Sequence, residues 1–534
     1  MKHYMTAITL LVAVISMTGL SAQEKPNRSI YDFGFVKSTN PWLTSSNMSG
    51  LHTLQAERTS IVEAGFRKED GGFISLTESP DAARAGIFTE SFVRISDRIA
   101  FYGLLSYDFF HGKEMGGQVL MDPSFNPVNF VEEPDTTKGV KQRELYHIIG
   151  GISYKFNDKW SIGFLADYEA GNQAKRKDPR FQNIWMDMNF SFGGRFAPSE
   201  CVSIGINAIY QKTLENMTGK LFGVTDKQYF TFVDYGLFLG KKESQNEKDG
   251  YLTNSDGLPI LNHIYGGSLQ IEAGRNTKIL NELTFLMRSG RYGHNAASKI
   301  KYFENSGMTA SYKGTLVIPK SDNLHKIGLE VSYSQLSNVE NNYRQSSIPG
   351  EQTIVEYFGQ KDILDRDRVE AEISYSGHLR IKNMRPVWSF GLKARGLYEN
   401  TTATIYPYYR KQDITSITAD IFGRKNFFTG KNIFTLGLDA GFLTGFGTPK
   451  EDGILASASA GAPKSADGAL NRDYEYKTAS RISAELGLRY TRLFKKNIAG
   501  YIEVSDRYIN TLASPEFLAQ SYRNIFRISV GCSF

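Results

Sequence analysis

The sequence predicts an all-β protein: an antiparallel transmembrane β-barrel of about 18 strands, with 16 nearly as consistent. Three observations carry that reading: polarity that alternates at every second residue, short polar turns alternating with long connections, and a final strand closing on Phe534. Successive side chains of a strand point to opposite faces, so a period of two sorts residues onto two surfaces. In the last strand Tyr522, Phe526, Ile528, Val530, Cys532 and Phe534 share one parity, while Arg523, Arg527, Ser529, Gly531 and Ser533 take the other. From Arg366 to Lys382 the even positions are charged or polar (Arg366, Arg368, Glu370, Glu372, Arg380, Lys382) and Val369, Ala371, Ile373 and Tyr375 oppose them. The segment from Glu475 to Arg489 alternates in the same way, as do Trp160 to Tyr168, Val202 to Tyr210, Ile327 to Tyr333 and Trp388 to Tyr398. A face so charged excludes a sandwich core and suits a solvated lumen.

The connections set the topology. Short polar turns occur at Ser96-Asp97-Arg98, Asn157-Asp158-Lys159, Pro198-Ser199-Glu200, Arg275-Asn276-Thr277, Ser321-Asp322-Asn323, Asn383-Met384-Arg385 and Lys495-Lys496-Asn497, with a hairpin near Arg424 to Lys431. Such residues supply hairpin geometry and end a strand pattern. Between them lie long stretches near His111 to Gln142, Thr213 to Leu261, Asn341 to Ile363 and Thr448 to Asn471. That alternation is the pattern of short periplasmic turns and long extracellular loops. An extra external hairpin is predicted around Tyr229 to Leu239.

Composition narrows the class further. Hydrophobic residues make up 41% and mean hydropathy is -0.34. The one long apolar run, about Thr6 to Leu20, follows Lys2 and His3 and precedes Leu20-Ser21-Ala22. It reads as a secretory signal cleaved between Ala22 and Gln23, so the chain is expected to be exported. Beyond it no segment reaches the roughly 20 apolar residues of a spanning helix. The expected organisation is a signal at 1–22, a periplasmic or lumenal extension at 23–56 and a barrel at 57–534. Residues 23–56 are too few for the plug domain that precedes the barrel in TonB-dependent receptors. With 29 Tyr and 35 Phe against 4 Trp, the aromatic content of 13% fits girdles at two bilayer interfaces. A net charge of +6, from 62 basic and 56 acidic residues, gives no reason to invoke nucleic acid. Phe534, with Phe526, Ile528 and Val530 at alternate positions before it, resembles the insertion signal read by the outer-membrane assembly machinery. Outer-membrane lipid and lipopolysaccharide are therefore the expected surroundings. Cys201 and Cys532 are expected to be free thiols.

Three stretches carry a family resemblance: Asn40-Pro41-Trp42-Leu43; Phe101-Tyr102-Gly103 through Ser106-Tyr107-Asp108; and Tyr168-Glu169-Ala170 through Asp178-Pro179-Arg180. They resemble landmarks of an unknown-function outer-membrane barrel family of Bacteroidota type. The resemblance covers most of the mature chain and implies an outer-membrane barrel. It implies no catalytic or ligand residues.

The parity places a charge patch on the lumenal wall: Arg366, Arg368, Glu370, Glu372, Arg380, Lys393 and Arg395. Further inward basic residues are Lys382, Arg481, Arg489, Arg507 and Arg527, and further acids are Asp167, Asp187, Glu330, Glu485 and Glu503. Such residues tune selectivity, here toward anionic solutes, or they neutralise one another across strands and stiffen the wall. His147 and His378 fall on inward parity, and Asp108 lies near His111, but no nucleophile elbow, P-loop or paired-His metal motif occurs. The expectation is a non-enzymatic pore or transporter for a small polar solute, without cofactor or metal. The alternative is a structural barrel whose loops hold protein or glycan partners.

Overall fold

The computed structural model describes residues 32–54, 56–132, 134–222, 228–245, 257–294, 300–346, 354–457, 461–494 and 498–534. The predicted signal segment with Ala22 and Gln23, and the predicted turn at Lys495-Lys496-Asn497, lie outside the described residues. The first half of the chain gives β1 (Arg58–Asp70), β2 (Asp81–Arg94), β3 (Ile99–Met115), β4 (Asn129–Glu132), β5 (Gly139–Lys155), β6 (Trp160–Lys175), β7 (Arg180–Ser199) and β8 (Val202–Lys220). Then follow β9 (Tyr229–Asp234), β10 (Leu239–Gln245), β11 (Leu258–Ala273), β12 (Lys278–Gly293), β13 (Lys301–Lys320), β14 (Asn323–Ser346), β15 (Ile354–Leu379) and β16 (Trp388–Ile405). The last are β17 (Tyr408–Thr429), β18 (Asn432–Ile454), β19 (Lys464–Ser465), β20 (Arg481–Leu493), β21 (Ala499–Thr511) and β22 (Tyr522–Ser533).

All but β4, β9, β10 and β19 join one 18-stranded antiparallel sheet, which closes when β22 pairs with β1. That seam runs from Ile61 opposite Ser533 to Asp70 opposite Asn524. Beyond it Ser60 and Phe534 exchange backbone hydrogen bonds of 2.9 and 3.0 Å, and the Arg58 guanidinium lies 4.6 Å from the Phe534 ring centre. A closed sheet leaves no unpaired edge, which is the condition for a β-structure in hydrocarbon. Among the described residues no helix is long and apolar enough to cross a membrane.

The two faces differ as the alternation requires. On β8, Val202, Ile204, Ile206 and Tyr210 are exposed outside, while Ser203 and Asn207 are buried inside. On β20, Ile482, Leu486 and Leu488 face out and Arg481, Ser483 and Glu485 face in. Phe526, Ile528, Val530 and Phe534 share the outward parity of β22, where Val530 is 57% exposed. Its inward Arg527 and Arg523 pair with Glu63 and Glu69 of β1.

Several boundaries differ from the sequence reading. Tyr476 and Lys477 belong to a helix, Asp467–Thr478, and the strand begins only at Arg481. Ala466 and Leu470 anchor that helix in an apolar cluster with Phe238 and Val131. Arg380 and Lys382 lie past the end of β15, in its connection to β16. Arg380 has φ +54°, so the alternation stops there and its side chain is exposed at the turn. The hairpin predicted around Tyr229 to Leu239 exists as β9 and β10, but it is not external. It forms a second sheet, in the order β19-β10-β9-β4, packed inside the barrel mouth. Cys201 sits in the β7–β8 turn and Cys532 on β22, both as free thiols.

Candidate functional site

Two internal closures define the lumen. At the end where the short turns lie, residues 32–54 enter the barrel. A helix (Phe33–Thr39) is capped by Asp32, and 3₁₀ turns follow at Pro41–Thr44 and Met48–Thr53, capped by Asn40 and Asn47. Asn and Asp occur there because their side chains accept the first free N–H groups of each turn. Phe33, Val36, Leu43, Leu51 and Leu54 are buried with Phe92 and Ala100 of the wall. Each such side chain contributes about 1.5–3 kcal/mol by leaving water.

Polar contacts then fix the segment's register. Trp42 donates its indole N–H to Glu272 at 2.9 Å, and Arg195 lies over its ring. Asn47 donates to the carbonyls of Gly194 and Ile206 and to Gln270. The Ser49 carbonyl accepts from Ser153 and Ser161. The wall makes room for this: a Cβ on Gly163 would overlap Ser49, and one on Gly193 or Gly205 would overlap Asn47. Burial, with Arg195 beside it, lowers the His52 imidazole to about 4.

At the opposite end the β4-β9-β10-β19 sheet fills the mouth. Phe130, Val233 and Tyr235 bury against Phe181, Met217, Ile260, Tyr292 and Phe303 of the wall. Charged contacts pin it. Lys175 pairs with Glu132, both almost fully buried, and Lys141 donates to the Gln118 carbonyl. Glu340 accepts from Tyr235 and pairs with Lys241, each at 2.7 Å. Arg410, 2% exposed, bridges Asp452 and Asp467. Burial pushes the Asp234 carboxyl up to about 7 while it accepts the Gly236 N–H.

Between the closures lies a polar cavity of about 720 Å³ against β12–β17, floored by Thr44, Ser45 and Ser46. Register places its charged residues in one cross-strand row: Glu282 opposite Lys313, Lys313 opposite Glu330, Glu330 opposite Glu372, and Glu372 opposite Arg395. Lys313 pairs with Glu330 at 3.2 Å, Lys393 with Glu372 at 2.8 Å and Arg395 with Asp420 at 2.5 Å. Two of these residues also hold the floor. Glu282 accepts from the Ser46 N–H and hydroxyl, and Lys313 donates to the Thr44 carbonyl.

The structure distributes the sequence-predicted patch unevenly. Glu370, Glu372 and Arg395 line the cavity, and Lys393 pairs behind them. Arg368 binds Glu370 and Glu399. Arg366 turns to the outer closure, where it donates to the Ser124 carbonyl. Arg380 is off the wall altogether. His147 meets Asp167 of the neighbouring wall strand at 2.6 Å, and His378 meets Ser389 of the wall and the Phe35 ring of the N-terminal segment. Asp108 lies 3.6 Å from Arg84. Sequence reading passed over Glu282, Lys313 and Thr44–Ser46. Glu282 and Lys313 follow from inward parity on β12 and β13, whereas Ser46 gives no signal.

A model described as "Family of unknown function (DUF6850)" matches residues 48–534, and the chain belongs to that family. No curated protein sequence matches it. Similar solved structures include a mutant of the ferric enterobactin receptor PfeA from Pseudomonas aeruginosa (10% identity, 90% of this chain, 81% of that chain, TM-score 0.41). Another is BauA, the ferric preacinetobactin receptor from Acinetobacter baumannii (9% identity, 89% and 79% covered, TM-score 0.39). A third is the outer membrane transporter YddB from Escherichia coli (7% identity, 89% and 80% covered, TM-score 0.38).

Proposed function

We propose that this member of the DUF6850 family is an outer-membrane transporter that passes a small polar solute through a lumen gated by its own chain. A single observation carries the reading: two of the charged residues that line the chamber, Glu282 and Lys313, also hold its floor. The surrounding facts agree. The outside is an apolar surface of the kind that hydrocarbon covers, with Ile206 and Leu283 among its exposed residues. The inside is hydroxyl-rich and charged, as a solute path requires. The outward residues of β22 are the face offered to the assembly machinery, and lipid with lipopolysaccharide is the setting in which this outer surface is stable. Closure at both ends favours gated passage over a standing pore.

The test uses a Cys201→Ser, Cys532→Ser background carrying Ser46→Cys and Ser268→Cys, positions whose hydroxyls are 2.9 Å apart. In planar bilayers the reduced protein is expected to show brief openings, and the oxidised protein to be silent. Steady currents unaffected by the cross-link would refute gating by this segment. A mature protein that stays soluble and lacks heat-modifiable gel migration would refute the membrane assignment.

A further inference from the structure

We infer that the chamber is a binding site for a small zwitterionic solute of the amino-acid or short-peptide class, an inference that rests on the transporter reading and names its substrate. Both charge signs offer free faces to the cavity: Glu330 is 52% exposed, Glu370 50%, Arg395 51% and Lys313 38%. A wall whose ion pairs served only to neutralise it would satisfy its charges against one another. Here the row departs from that pattern at one point. Glu330 and Glu372 stand directly opposite each other on neighbouring strands, an arrangement that is unfavourable for like charges. Each carboxylate takes its cation from the far side, Lys313 for one and Lys393 for the other. The two carboxylates face each other across the strand pair, while Glu370, two residues along the same face, pairs with Arg368. An ammonium group seated between Glu330 and Glu372 offsets the repulsion.

The same lining disfavours a simple anion. Arg395 is already shared by Glu372 and Asp420, and Lys313 by Glu330 and the floor. Four carboxylates (Glu282, Glu330, Glu370, Glu372) and two cations (Lys313, Arg395) line the cavity, and Arg368 and Lys393 pair with Glu370 and Glu372 from beside it. A solute with an ammonium toward Glu330 and Glu372 and a carboxylate toward Arg395 meets both signs. Ser311, Ser332, Ser416 and Thr418 supply hydroxyls for the amides between. The cavity volume falls in the range of about 300–1,000 Å³ typical of small-ligand sites.

The experiment is calorimetric titration of the full mature chain in detergent with glycyl-lysine, glycyl-glutamate and succinate. Glycyl-lysine is expected to bind at least tenfold tighter than glycyl-glutamate, with succinate weaker than either. The isosteric pair Glu330→Gln, Glu372→Gln should remove the tenfold preference. Arg395→Gln should weaken both dipeptides and leave their order unchanged. Heat-modifiable migration of each variant checks folding. Tighter binding of succinate, no binding of either dipeptide, or an unchanged preference in the double Gln variant would overturn the assignment. Dipeptide uptake into vesicles separates the two claims. Binding without uptake keeps the site and sinks transport, and succinate uptake without dipeptide binding does the reverse.

Discussion

Gly163 and Gly193 stand opposite each other on β6 and β7, and their missing side chains admit the backbone of Met48 and Ser49 and the side chain of Asn47. Gly163→Ala or Gly193→Ala should therefore unseat the N-terminal segment while the wall ladder stays intact. Overpacking of this kind costs roughly 1–3 kcal/mol. Hydrogen exchange should show protection at Leu43–Leu54 falling by one to two orders of magnitude, with β6 and β7 amides unchanged. Equal loss in the strands would mean that the glycines serve the sheet. His52 gives the same segment a pH dependence. Its folded-state value of about 4 lies below the ordinary 6.5, because burial and then Arg195 disfavour the imidazolium. Its contribution is complete above pH 6.5 and is lost as pH falls toward 4. Exchange at Met48–Thr53 should accelerate across that window, and a His52→Gln variant should flatten the response. None of this was legible in the sequence, where glycines in strands look like ordinary bends and the segment's lumenal or periplasmic position stays open.

The outer closure depends on charges that hydrophobic patterning cannot pair. Glu132 and Lys175 are 43 residues apart, and their side chains are 0% and 1% exposed. Removing one member of a buried pair strands the other, at a cost of about 3–5 kcal/mol. Glu132→Gln should release β4 and expose the β9–β10 hairpin to limited proteolysis, while heat-modifiable migration is retained. Cleavage at an unchanged rate would show that the apolar cluster around Phe130 and Tyr235 suffices. Asp234 acts with the opposite sign to His52. Burial raises its carboxyl to about 7, and its neighbours Asp473 and Arg410 act in opposite directions. Its stabilising contribution is therefore complete below about 4 and lost as pH rises through 7. Element boundaries were readable where alternation was strict, as on β15 up to Leu379. They failed where tertiary contacts override it. Tyr476 and Lys477 continue the apolar–polar alternation of the strand after them, yet Leu470 and the Lys477–Glu399 and Lys477–Asp473 pairs hold that stretch as helix.

At the scale of the whole molecule, parity and turn chemistry carried the barrel, because a closed sheet repeats one rule on every strand. The inward and outward sets on β8, β15, β20 and β22 follow from the alternation alone. What fills the lumen does not, since three loops and a leader (residues 32–54) that fold inward obey no period. That filling sets the last expectation. Two closures in series pass a current limited by the tighter one, so opening either alone changes conductance little. The β1–β22 seam is held by its own ladder and by the Arg523–Glu69 and Arg527–Glu63 pairs, so the wall survives loss of the leader. A chain lacking residues 32–54 should thus migrate as a folded barrel and still show small, infrequent openings. The Glu132→Gln variant should behave alike. Combined, the two changes should give steady currents well above the sum of the separate effects, measured in planar bilayers. Full conductance from the leader deletion alone would show that the β4-β9-β10-β19 sheet does not close the mouth.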